Sequence, residues 1–336
     1  MDTRKIQTVG GGTYTVSLPK DWAESRDIDA GDDVTLHTHI DGVLALQPPE
    51  CGDAAPERTT IRVDHDDPSL LERTLRAAYA VGTNELQLEA ADGFTDEQRR
   101  VVNSVARDLA GVSVADESGD WMTVRTLLDT AEVSVRQSVR QLKFVTLSTH
   151  REAIAAVTGE TDPDELAARD GQVDRLYAMI DRSFARGLAQ LDEVDALGLT
   201  RPELFELWAT TRELERVADR AEGLLTVATR IDDTMDESTA DEIREIAESA
   251  REIVTDGVSV VVDDADVETA REAVTAHEQL REEITGMECR FAESSTEDAH
   301  LRPVLDRLRR TVEHGGNIAE LGLRRAIRRD ELGAAP

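Results

Sequence analysis

Lysine is nearly missing from this chain of 336 residues: Lys5, Lys20 and Lys143 are the three lysines among 38 basic residues, which leaves 35 arginines. Positive charge as a whole is scarce, 38 Lys and Arg standing against 70 Asp and Glu for a formal net charge of -32. Self-repulsion on that scale destabilises a compact chain in dilute buffer, whereas molar salt shortens the Debye length to about 3 Å and removes most of the cost. The composition is therefore that expected of a protein from a salt-filled, halophilic cytoplasm. High salt also weakens the phosphate term for every protein, so acidity does not exclude DNA as a partner. A DNA-binding module here has to be recognised by its pattern.

Other absences narrow the field further. Cys51 and Cys289 are the two cysteines, neither with metal-type spacing around it, which excludes a disulfide framework and implies reduced thiols in a cytoplasmic protein. No apolar stretch approaches the roughly 18 residues that span a bilayer, and no charged segment followed by an apolar run opens the chain. Direct membrane insertion is not expected. The chain has no G-x-x-x-x-G-K-[ST] loop, no G-x-S-x-G and no H-E-x-x-H, and Glu297-Asp298-Ala299-His300 is one Glu-x-x-His where a ferritin-like di-iron centre needs two. The chain does not read as an enzyme. Aromatics make up 3% of it, yet 40% of residues are hydrophobic with clear periodicity, which excludes an acidic disordered chain.

Four segments follow from the patterning. Residues 1–50 read as short strands: Lys5 to Val9, a Gly10-Gly11-Gly12 turn, Tyr14 to Leu18, one helical turn from Pro19 to Arg26, then Val34 to His39 and Val43 to Gln47 around the hairpin dipeptide Asp41-Gly42. A piece of that length cannot build an adequate core alone and should pair with a second copy. After a linker marked by Pro48, Pro49, Gly52 and Pro56, residues 57–127 alternate strand and helix patterns as a small α/β module. Six helices are expected beyond it, near 131–158, 163–194, 201–231, 238–262, 267–292 and 301–329, grouped as 128–232 and 237–330. Asp162-Pro163-Asp164-Glu165 and Thr200-Arg201-Pro202-Glu203 both place a capping oxygen three residues before Glu. Leu207, Leu214, Val217, Ala221, Leu224, Ala228 and Ile231 form a heptad stripe, as do Ile243, Ile246, Ala250, Ile253, Gly257 and Val260.

The two helical groups look duplicated. A shift of 94 places lays Leu308 to His314 on Leu214 to Arg220 and Ile318 on Leu224, and a shift of 107 lays Leu280, Ile284, Met287 and Phe291 on Val173, Tyr177, Ile180 and Phe184. Leu214-Glu215-Arg216-Val217-Ala218-Asp219-Arg220-Ala221-Glu222, with Arg310, His314, Asn317, Ile318 and Ala319 in the second half, resembles the signature segment of the PhoU family of phosphate-uptake regulators. Gly11-Gly12-Thr13-Tyr14-Thr15-Val16-Ser17-Leu18-Pro19-Lys20, with Ile28 to Val34 and the second hairpin, resembles the SpoVT/AbrB swapped-hairpin DNA-binding domain. The two likenesses cover about 250 residues and leave the α/β module unassigned. They imply a mainly α chain of two three-helix-bundle repeats, preceded by a β-rich swapped-hairpin domain and a small α/β module.

The PhoU likeness implies divalent or iron-type metal ions on the first repeat, held by Asp170, Asp174, Glu215 and Asp219. The i,i+4 spacing of each pair carries little by itself, because a chain with one residue in five acidic makes on the order of a dozen such pairs by chance. In the second repeat these positions map to His277, Arg281, Arg309 and Glu313, which favours an ion-paired or anion-tolerant patch over a cation site, although Glu278 and Glu282 restore an acidic pair if the helix register differs by one. The swapped-hairpin likeness implies that Arg4, Lys5, Lys20 and Arg26 face DNA. Asp21, Glu24, Asp27 and Asp29 would repel phosphate from the same surface, so a pure dimerisation role stays open. Together the likenesses imply a phosphate-responsive, dimeric transcriptional regulator acting on the operator of phosphate-transport genes. The alternative is a regulator without DNA that docks on a phosphate ABC transporter ATPase or its signalling partner.

Overall fold

The computed structural model describes residues 3–10, 12–48, 58–64, 67–163, 171–230, 235–293 and 301–329. Gly11, Cys51, Asp164, Glu165, Asp170, Ile231 and the segment Glu297 to His300, all singled out in the sequence, lie outside the described residues.

The N-terminal unit is two antiparallel hairpins joined by a helical turn. β1 (Gln7–Val9) pairs with β2 (Thr13–Thr15), α1 (Lys20–Glu24) follows, and β3 (Thr35–Thr38) pairs with β4 (Leu44–Gln47). Gly42, at a φ of 80°, turns the second hairpin where the Asp41-Gly42 dipeptide predicts a turn. The two sheets share no ladder, and Ile6, Val9, Tyr14, Val16, Leu36 and Leu44 are exposed. Apolar side chains left in water over both hairpins match the expectation that this unit needs a further surface to cover it.

The second unit carries a four-stranded sheet ordered β5 (Arg58–Arg62), β6 (Glu85–Glu89), β8 (Trp121–Thr126), β7 (Val112–Glu117), in which the first pair is parallel and the others antiparallel. α2 (Pro68–Ala80) is capped by Asp67, and α3 (Asp96–Asp108) starts on a capping box between Thr95 and Gln98. Leu71, Leu75, Tyr79, Leu88, Val102 and Met122 form its core.

A 3-10 turn at Thr130–Glu132 leads into the bundle: α4 (Val135–Val157), α5 (Gly171–Ala189), α6 (Leu191–Ala196), α7 (Arg201–Ala228), α8 (Glu237–Val262), α9 (Val267–Glu293) and α10 (Leu301–Arg328). α4, α5 and α7 pack on one another as α8, α9 and α10 do, and the two triads join through α7 with α10 and α4 with α8. The 94-place shift survives in three dimensions: Leu214, Val217, Ala218, Ala221 and Leu224 are buried, and so are Leu308, Thr311, Val312, Gly315 and Ile318. α8 and α10 approach closely at Gly257, where an added Cβ would sit 2.8 Å from the backbone N of Ala319. The helix read as continuous over 163–194 breaks at Gln190, whose extended backbone (φ -126°, ψ 126°) starts the short α6. The break turns Val194 into the core beside Leu204, across Gly187, where a Cβ would collide with Leu204.

α5 fastens the α/β module to the bundle with three guanidiniums. Arg182, 2% exposed, donates to the carbonyls of Tyr79 (2.8 Å) and Thr83 (3.0 Å) and to Oδ1 of Asn84 (2.7 Å), closing the C-terminus of α2. Arg186 donates to the Gly82 carbonyl, and Arg175 to the carbonyls of Arg107 and Asp108 at the end of α3. Cations at helix C-termini satisfy orphan carbonyls and complement the dipole. Burial, aided by the charge of Arg186, pushes the Arg182 pKa down to about 10, and burial pushes Tyr79, whose ring lies 5.0 Å from that guanidinium, up to about 12.

Candidate functional site

The basic residues of the hairpin unit sit where a polyanion could reach them. Arg4, Lys5, Lys20 and Arg26 are all exposed, Lys20 opening α1 after Pro19. Lys20 Nζ lies 3.3 Å from Glu24, and Asp21, Asp27 and Asp29 are exposed on the same unit, so its surface carries both signs.

A second surface lies on α5 and α7. Asp174 stands in the first turn of α5, exposed; Glu215 and Asp219 lie one turn apart on α7, Glu215 partly buried and Asp219 exposed. Burial raises the Glu215 pKa first, and the charges of Asp219 and Asp174 add to it against the opposing Arg216 and Arg212. Three of the four expected carboxylates thus share one electrostatic neighbourhood. The donor set is all oxygen, as hard cations prefer. Yet among the described residues no three His, Cys, Asp or Glu side chains are placed to hold one ion, and two guanidiniums already supply countercharge. Beside this patch Phe184 stacks on Trp208 at 4.2 Å, Trp208 donates to Asp181 at 2.8 Å, and Arg212 lies 5.1 Å over the indole.

A polar cluster with no signal in the sequence pattern ties the repeats together. Glu213 on α7 meets His314 Nδ1 and Asn317 Nδ2 of α10, each at 2.9 Å, while Arg216 donates to its other oxygen at 2.8 Å. Burial alone would raise the Glu213 pKa; the hydrogen bonds from His314 and Asn317 and the charges of His314 and Arg216 outweigh it and hold the carboxyl below its ordinary value. His314 and Asn317 were visible as letters of a repeated segment, but their partner lies in the other repeat, which no local spacing reveals. In the second repeat Arg309 pairs with Asp306 (2.9 Å), Glu313 (3.5 Å) and Glu288 (3.6 Å). Arg309 is thus ion-paired with three carboxylates of its own repeat.

Fold and surfaces together define a composite chain: a small hairpin domain with exposed cations, an α/β module, and a duplicated helical bundle. Residues 7–50 match the family model described as Antidote-toxin recognition MazE, bacterial antitoxin, and residues 139–227 match the PhoU domain. The chain thus carries a MazE/AbrB-like domain followed by a PhoU domain, in the order that its two likenesses imply. Both are regulatory families. The matches leave the α/β module and the second repeat uncovered. No curated protein and no solved structure matches the chain. Among the described residues no helix is long and apolar enough to cross a membrane.

Proposed function

We propose that the protein is a phosphate-responsive transcriptional regulator that controls phosphate uptake, its hairpin domains pairing across a homodimer to bind DNA and its bundle sensing phosphate status. The observation that carries this reading is the joining of a MazE/AbrB-like domain, with Arg4, Lys5, Lys20 and Arg26 exposed, to a PhoU domain on one chain. The exposed apolar side chains of both hairpins support the pairing. Asp170, Asp174, Glu215 and Asp219 are the residues that would hold an oxygen-preferring cation, whose charge would relieve the repulsion around Glu215.

The test is fluorescence anisotropy in molar KCl with labelled DNA from upstream of phosphate-transport genes, comparing the whole protein with a form lacking residues 1–50. Tight binding by the first and loss in the second is expected. Equal binding by both forms overturns the hairpin as the DNA reader.

A second reading, a regulator that docks on a phosphate ABC transporter ATPase or its signalling partner, is favoured by the exposed acids interleaved with the hairpin's cations and by the pairing of Lys20 with Glu24. Recovery of that ATPase on tagged protein, with no DNA retained, would select it.

A further inference from the structure

The three units meet at one short helix. α6 occupies the corner between α5 and α7, and two of its side chains reach in different directions. Glu193, buried, accepts from Arg186, and the same guanidinium donates to the Gly82 carbonyl and to Asn84 Oδ1, each at 3.1 Å, on the loop that leaves α2 of the α/β module. Two residues on, Asp195 turns toward the N-terminal hairpin. Its Oδ2 lies 2.9 Å from Nδ1 of His39, and its Oδ1 accepts from the Ile40 backbone N–H at 3.3 Å. Arg201, the first residue of α7, completes the contact: one guanidinium nitrogen lies 3.0 Å from His39 Nε2 and the other 3.6 Å from Asp41 Oδ2.

The chemistry of this corner is complementary throughout. A guanidinium has no acceptor, so the nitrogen of His39 that faces Arg201 is the acceptor of that contact, while Nδ1 faces the Asp195 carboxylate. Asp41 and Asp195 flank Arg201 and His39 as alternating charges and dipoles. Among the described residues of 3–48, His39 is the one that is buried, at 4% exposed. The hairpin does not bury it: the surrounding hairpin side chains Leu36, Ile40, Val43 and Leu44 are all exposed. What covers His39 is the corner of the bundle.

We propose that the α6–α7 corner is a docking surface for the β3–β4 turn of this chain, through which the bundle holds the hairpin domain and a change in the bundle or the α/β module reaches it. The contact leaves Arg4, Lys5, Lys20 and Arg26, and the apolar faces of both hairpins, exposed. It therefore orients the hairpin domain without masking it. The inference goes beyond the proposed function and holds whether or not the hairpin binds DNA. Coupling through this contact shows as a change in local opening of the hairpin turn.

Hydrogen exchange read by mass spectrometry on the full chain in molar KCl supplies that measure. Asp195→Ala and His39→Ala are each expected to speed exchange of the amides of residues 39–42 at least tenfold, with α4 and α8 keeping their protection. The double variant should add little to either single change, because both break one contact. Unchanged exchange at 39–42 in both single variants, or effects that multiply in the double, overturns the docking surface. Asp195→Asn, which retains the acceptor for Ile40, should fall between and serves if the alanine variant is poorly folded. Arg186→Met removes the link from Glu193 of α6 to the α/β module while leaving every hairpin contact residue, and the Arg175 and Arg182 bridges, in place. It should speed exchange at 39–42 at least threefold, and no change there overturns the relay from the module. None of these readings involves DNA, so failure of the hairpin as DNA reader and failure of this contact give different results.

Discussion

His150 is sealed inside the bundle at 0% exposure, on α4 between Leu142 of one apolar cluster and Ala153 of the other. Arg251 of α8, itself 6% exposed, places a guanidinium nitrogen 3.3 Å from its Nδ1, so the imidazole is held neutral with Nδ1 as the acceptor. Burial, with the charges of Arg251 and Arg151, pushes the His150 pKa down to about 3. The unfolded chain takes up this proton near pH 6.5 and the folded one does not until near pH 3, so the contribution is complete above pH 6.5 and is lost progressively as pH falls below it. Between pH 6.5 and 5 that loss is about 2 kcal/mol. His150→Gln should flatten the stability profile by about that amount over this window, measured by chemical denaturation at constant salt; an unaltered slope would show that the ring protonates in place. Arg182 offers a second test at the same scale. Replacing it with Met strands two backbone carbonyls and Asn84 and should cost about 3 kcal/mol. A loss under about 1 kcal/mol would mean that water takes over its partners.

At the scale of elements, the helices were legible because they bury one stripe each: the heptad positions Leu207, Leu214, Val217, Ala221 and Leu224 are all buried, and the Thr200-Arg201-Pro202-Glu203 start is a capping box. The hairpin and α/β strands were legible for a different reason, since their turn dipeptides and period-2 runs are local. The break at Gln190 was not, because no glycine or proline marks it and its cause is the packing of Val194 against Leu204 across Gly187. Likewise Arg175, Arg182 and Arg186 read as ordinary charges on a helix until α5 meets the C-termini of α2 and α3. Of the candidate site, Asp174, Glu215 and Asp219 are singled out by the PhoU likeness rather than by any local pattern, whereas the role of Glu213 depends on His314 and Asn317 about a hundred residues away. The seam between α8 and α10 gives the test at this scale. Gly257→Ala would gain up to about 1 kcal/mol of helix propensity. It also sets a methyl group 2.8 Å from the Ala319 backbone N and 3.0 Å from Ile318 Cγ2. Backbone cannot move as a side-chain tip can, so a net loss of about 1–3 kcal/mol is expected. A gain in stability by thermal or chemical denaturation would show that the helices slide apart at no cost.

For the whole molecule the deciding quantity is the net charge of -32. Many of the 35 arginines are committed to particular carboxylates across helix boundaries: Arg325 alone meets Glu203, Glu206 and Asp264, while Arg328 also reaches Glu206, locking the end of α10 to α7 and the α8–α9 turn. Arg325 and Glu206 are each 4% exposed, so the pair between them is shielded from solvent ions and its attraction persists in concentrated salt. The excess acids have no such cover. Asp219 and others like it are exposed, and their mutual repulsion acts through solvent, over about 10 Å at 0.1 M salt but only about 3 Å at 1 M. Screening therefore removes the destabilising part of the electrostatics and leaves the buried pairs, the reverse of the usual weakening of surface salt bridges by salt. The melting temperature should rise on going from 0.2 M to 2 M KCl by on the order of 10 °C. Choline chloride should produce most of the same rise, since ionic strength rather than a specific cation is responsible. A flat response to both salts would mean that the acids are already neutralised in the folded chain, and a response to potassium alone would replace screening with ion binding.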